Sequence, residues 1–256
     1  MSSDFVHKFA TFSIPDPRLP PRDDEVVDFL RTCADRWWDK DILTQHQNAN
    51  SYYPFNARSL VNIVMKSSVA ADDPASERIM RFVERFNYHA ALDWSALDTK
   101  RKTDILYEHF GRLDELFFFG LITGEVDGLS GRAPLVLLET DPDRYSDKLG
   151  AFKPTTAKIV IWLRDYDFEQ LFLTLAHEMT HGFLSIFSDT RHKSHYEWVD
   201  QSSGHGKMFW MLLRFLINSI FTFTKSNYFW SQILVSEDEH YDCVIEQHGP
   251  SRPRFV

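Results

Sequence analysis

The spacing of apolar residues changes near Phe119-Gly120 and divides the chain in two. Before that point, apolar positions recur every three or four residues, the period of helices with one buried face. From Asp24 to about Leu43, Val26, Val27, Leu30, Ala34, Trp37 and Trp38 keep that spacing behind acidic residues in the first turn. Asp73-Pro74, with Ser76 and Glu77, opens a second helix through Ile79, Phe82, Val83 and Phe86. Asp98 or Thr99 opens a third, with Ile105, Leu106, Phe110, Leu113 and Leu116 on its inner face. A polar, Asn-rich connection and a short apolar run, Leu60 to Met65, separate the first two. Pro15, Pro17, Pro20 and Pro21 predict an extended arm over 1–24, ahead of a helical region over 25–103.

Beyond Phe119-Gly120 the apolar runs shorten and are broken by turn-forming residues. Leu121 to Val126, Leu135 to Leu138 and Lys158 to Leu163 predict three strands of a small sheet. A long apolar helix follows from about Asp167 to Phe187, then a loop rich in charge, His and Ser, then a helix from about Gly206 to Phe223. Residues 225–256 read as a C-terminal extension, helical in part. The prediction is one α+β body.

Composition narrows the function. The 256 residues are 43% hydrophobic and 25% charged, which excludes a disordered or collagen-like chain. The net charge of −9 repels phosphate backbones and argues against nucleic acid as a partner. Cys33 and Cys243 are the only cysteines, too few for a disulfide framework or a Cys-x-x-Cys site. The N-terminus lacks the apolar run of a signal peptide, and Arg214 and Asn218 interrupt the most apolar stretch, Met208 to Phe223. The expectation is an intracellular protein that does not enter a membrane.

Eleven histidines are the one unusual count, and two of them carry the chemistry. His177-Glu178-Met179-Thr180-His181 is an H-E-x-x-H motif inside the long apolar helix. Positions i and i+4 lie about 40° apart around a helix, so both imidazoles leave one face and can bind Zn²⁺. Glu178 follows as a candidate general base. Two core histidines satisfied by neighbouring carbonyls would explain neither the Glu nor the spacing. A catalytic zinc site needs a third protein ligand. The extended pattern H-E-x-x-H-x-x-G-x-x-H fails, because Leu184 and Phe187 occupy its later positions. By spacing, His192, His195, His205 and Glu197 are all candidates. His205 is favoured, because Gly204 and Gly206 flank it where a helix begins.

The helix TLAHEMTHGFL, the later SGHGKMFW and the FFFGLI before a strand resemble the SprT-like (Spartan-type) family of zinc metallopeptidases. The resemblance covers roughly residues 104 to 217, and a metallopeptidase core over 104–224 follows from it. It implies a zincin-like fold with a sheet of about three strands on the active-site helix. It also implies His205 as third ligand, Phe209 as the packing aromatic and Glu178 as catalytic base. The departures are a missing C-terminal Cys₄ zinc ribbon, an acidic chain where DNA-binding relatives carry basic segments, and N-terminal helices without a counterpart.

The expected activity is hydrolysis of a peptide bond, with an extended protein or peptide substrate along an edge strand near Lys158 to Leu163. Tyr166, Tyr196 and His195 are candidates to stabilise an oxyanion. Two other readings use the same residues: a zinc enzyme acting on a small molecule or other non-peptide bond, and a metal-stabilised binding module without catalysis.

Overall fold

The structure is a computed structural model that describes residues 56–71, 76–123, 136–142, 149–163 and 166–229. The expected arm over 1–24, the expected helix from Asp24 to about Leu43 and the extension beyond 229 lie outside the described residues.

Four of the five long helices start at a side chain that satisfies an otherwise unpaired backbone donor, α6 being the exception. Asn56 Oδ1 accepts from the Ser59 N–H at 2.9 Å and starts α1, Ala57–Ser67, so the apolar run at Leu60 to Met65 is helical. Ser76 caps α2, Glu77–Ala90, and Asp98 accepts from the Arg101 N–H at 2.7 Å to cap α3, Thr99–Phe117. Asp167 and Gln170 form a reciprocal capping box at the start of α4, Phe168–Phe187. A single turn, α5, spans Gln201–Gly204, and α6 spans Lys207–Thr224.

The sheet has three strands, β1 Leu137–Asp141, β2 Gly150–Lys153 and β3 Lys158–Trp162, in the spatial order β1-β3-β2. β1 runs parallel to β3, and β2 runs antiparallel to it. The described chain is therefore a mixed α+β structure, mostly helical with a small sheet. No described helix is long and apolar enough to cross a membrane.

Three strand expectations change. The segment from Leu121 to Thr123 is a turn, and residues 124–126 lie outside the described residues. The cause is Asp114, which is fully buried near the end of α3. Its carboxylate accepts from the Ile122 N–H at 3.1 Å, the Thr123 N–H at 2.6 Å and the Thr123 hydroxyl at 2.7 Å. Those amides are engaged by a side chain and cannot form a sheet ladder there. Phe119 and Gly120 adopt left-handed backbone angles, with φ of 62° and 74°, to fold the chain back. The strand expected over Leu135 to Leu138 is shifted to Leu137–Asp141. Lys158–Trp162 is central rather than an edge, since it pairs on both sides. A substrate strand therefore cannot be added to it.

Helix α4 is the hub. One side packs on β2 and β3, and the others on α1, α3 and α6. Leu171, Phe172, Leu175, Ala176, Met179, Phe183 and Phe187 are fully enclosed. Burying each large side chain contributes roughly 1.5–3 kcal/mol, so the helix carrying the motif is a rigid platform. At its N-terminal half, Phe82, Phe86, Phe168, Phe172 and Phe229 form an aromatic cluster.

Two imidazoles are buried in that cluster. His89 Nδ1 and His109 Nε2 lie 2.9 Å apart, and His109 Nδ1 has no partner among the described residues. Burial pushes His109 down to about 3, with the neighbouring His89 adding to the effect, and burial also lowers His89. An unfolded histidine titrates near 6.5. Between about 6.5 and 3 the unfolded chain therefore holds a proton at His109 that the folded chain does not. This stability is complete above pH 6.5 and is lost as the pH falls toward 3. The expected result is an unfolding free energy, read from urea titrations, that declines between pH 7 and pH 4 by an amount of order a few kcal/mol. His109→Gln should make that decline shallower without abolishing it, and an equal slope in wild type and variant would show that His109 does not contribute.

Candidate metal centre

His177 and His181 project from one face of α4, one turn apart. His205 comes from the short link between α5 and α6, and local backbone chemistry fixes its place. Gly206 is the N-cap of α6, and its N–H donates to the Val199 carbonyl at 3.1 Å. A Cβ there would fall 2.4 Å from the Trp198 carbonyl carbon and 2.5 Å from the Val199 nitrogen, closer than any real contact. Gly204 has φ +93°, and a Cβ on it would approach the His181 ring at 3.1 Å. The two glycines let the chain turn tightly enough to bring His205 over α4.

The three Nε2 atoms are 3.2, 3.2 and 3.0 Å apart. The ring centroids are more widely spaced, at 4.8–5.0 Å, so the rings tilt toward a common point. All three pairs are within hydrogen-bond distance, with donor and acceptor roles that depend on the tautomers. A cation at the centre would take all three lone pairs. Tetrahedral zinc with Zn–N of 2.0–2.1 Å requires nitrogens about 3.3–3.4 Å apart, and the observed spacing is within a few tenths of an ångström of this. The three residues are the group of His, Cys, Asp and Glu side chains among the described residues positioned to hold a metal.

The surroundings favour neutral imidazoles, the form that binds metal. Burial pushes His177 down to about 3, and burial with the two neighbouring imidazoles pushes His181 down to about 2. Phe209, fully buried on the first turn of α6, forms the floor. It stacks on His181 at 4.2 Å and 23° and meets His177 and His205 edge-on at 4.9 and 4.7 Å.

Glu178 turns toward the sheet. It is buried, and Oε2 accepts from the Phe152 N–H at 2.6 Å, a short charge-assisted bond. The position of that N–H follows from the register. Trp162 N–H donates to the Leu149 carbonyl at 2.9 Å, and bonded pairs alternate in an antiparallel ladder. Ala151 therefore bonds to β3, while the backbone groups of Gly150 and Phe152 point to the outer edge of β2. The opposite edge is covered: the Tyr107 hydroxyl donates to the Leu138 carbonyl, and the Thr103 and Thr140 hydroxyls meet at 2.7 Å. The carboxylate of the motif thus sits beside the outer edge of β2.

The other candidate ligands lie elsewhere. His192 stacks on Trp198 at 4.9 Å and 20°, and its Nδ1 accepts from the Ser194 N–H. Glu197 pairs with Lys207 at 2.6 Å. His195 is buried against Ser188 and Asp200. Tyr196 is 70% exposed, and Tyr166 lies half-buried just before the cap of α4. The Phe152 N–H has no sequence signature, because only the register of β2 reveals it. The chain matches no protein-family model, no curated protein and no solved structure.

Proposed function

We propose that the protein is a zinc-dependent metallopeptidase with a zincin-like core of the SprT-like kind. His177, His181 and His205 hold Zn²⁺, and Glu178 is the catalytic base. The observation that carries the proposal is the pairing of the three convergent imidazoles with a buried carboxylate beside the outer edge of β2. Zinc in a three-histidine site supplies Lewis acidity, which polarises a carbonyl and acidifies water. Glu178 takes the proton from the attacking water and delivers it to the departing amine nitrogen. The Gly150 backbone groups and the Phe152 carbonyl point outward toward an extended peptide, which adds as a strand beside β2, while the Phe152 N–H stays on Glu178. His177, His181 and Phe209 keep the third ligand in register and exclude water from the floor of the site.

A main-chain docking edge favours protein or peptide substrates over small molecules, and the net charge of −9 speaks against nucleic acid as a regulator. The test is hydrolysis of an unfolded protein such as denatured casein, with zinc measured on the same sample. Expected are one zinc per chain, cleavage abolished by a chelator and restored by zinc, and a rate unchanged by single-stranded DNA. A zinc-loaded protein that leaves the substrate intact would reject the peptidase reading. Stimulation by DNA would reject the exclusion of nucleic acid.

A further inference from the structure

The segment between the second and third imidazoles is folded in detail, and His195 is at its centre. Ser188 ends α4. Its N–H and its hydroxyl both donate to the Leu184 carbonyl, at 3.2 and 2.5 Å. Two consecutive turns that share His192 follow, closed by His192 N–H to the Asp189 carbonyl at 3.1 Å and His195 N–H to the His192 carbonyl at 2.8 Å. A π-helical turn then spans Tyr196–Asp200, and Gly206 N–H returns to the Val199 carbonyl.

His195 is 6% exposed and lies at the junction of these turns. Its Nδ1 is 3.4 Å from the Ser188 hydroxyl. The hydroxyl proton is already given to Leu184, so a ring proton on Nδ1 makes His195 the donor at this contact. Its Nε2 faces the Asp200 carboxylate at 3.5 Å. One ring therefore spans from the C-cap of α4 to the end of the π-turn. An apolar side chain would fill this space with less desolvation, whereas the imidazole reaches both sides and donates its single ring proton to Ser188 or to Asp200, and to both only when charged.

We propose that His195 is a positioning residue for His205. It clamps the turn that presents the third imidazole to the end of the helix that presents the other two. This rests on the zinc reading of the site. The need for such a clamp follows from the tolerance of the triad. His205 Nε2 sits 3.0–3.2 Å from its neighbours, and a side chain that binds a metal must hold its place within about 0.5 Å to be useful. His205 is not itself within a helix, so the turn behind it sets that precision.

The experiment compares wild type, His195→Ala and His195→Asn, whose amide can keep the donor to Ser188. Zinc affinity is read by competition with a chromophoric chelator, and amide hydrogen exchange is read on the metal-free proteins. His195→Ala should lower zinc affinity roughly 10–100-fold, and His195→Asn should recover most of the loss. In metal-free His195→Ala the Gly206 amide should exchange roughly tenfold faster or more, while Met179 in the middle of α4 keeps its protection. Unchanged affinity, unchanged Gly206 exchange or an Asn variant as weak as the Ala variant would overturn the clamp. So would equal loss of protection at Met179, which would mark general loosening. If wild type takes up no zinc, the metal reading falls by itself, and the Gly206 exchange in His195→Ala still decides the clamp.

Discussion

Replacing Glu178 by glutamine is expected to slow peptide hydrolysis by about 10²–10⁴-fold while zinc content stays at one per chain. Glutamine has the same shape, and its carbonyl oxygen can still accept the Phe152 N–H that the carboxylate accepts at 2.6 Å. The strand and helix therefore keep their spacing. What disappears is the capacity to take a proton at neutral pH, since an amide has no basic site there. His177 and His181 lie on either side in sequence but use their own rings, so the ligand set is untouched. Initial rates with the denatured substrate, beside zinc analysis by atomic emission, separate the two quantities. Turnover that survives would remove Glu178 from its role, and a parallel loss of zinc would make it a structural element of the site.

The second large effect is at His205. His205→Ala leaves two imidazoles on α4, one short of the three protein ligands of a catalytic zinc site. The expected loss of zinc affinity exceeds the roughly 10–100-fold typical of an outer-shell change, and hydrolysis should be lost with it. His192→Ala is the informative comparison. His192 has the same chemistry and lies nearer in sequence to the motif, but its ring is stacked on Trp198. Its removal should leave one zinc per chain. Zinc retained in His205→Ala, or lost in His192→Ala, would break the ligand assignment.

The parts of this architecture that are legible in the sequence are those that depend on neighbours a few residues away. The H-E-x-x-H face, the caps at Ser76, Asp98 and Asp167, and the glycines around His205 all act within one or two turns. Spacing leaves four candidates for the third position, and the fold brings only His205 to the other two imidazoles. What the sequence hides are interactions set by register or by distant partners. Gly150–Lys153 is four residues without alternation, yet it forms the strand beside Glu178 because β3 offers it a ladder. Leu121 to Thr123 look like a strand by composition, but a buried carboxylate on α3 captures their amides. Lys158–Trp162 reads as a strand in either case. Its central place follows only from pairing with both β1 and β2.

The separation of the third imidazole from the second has a consequence for the free energy of the whole chain. His181 and His205 are 24 residues apart, and their nitrogens approach within 3.2 Å. A zinc ion held by both would be a removable crosslink that closes the intervening loop. A metal that binds only the folded form adds stability in proportion to the logarithm of its free concentration. The ion proposed to drive the chemistry would thus also work as a clasp, and the persistence of the fold would follow the supply of zinc.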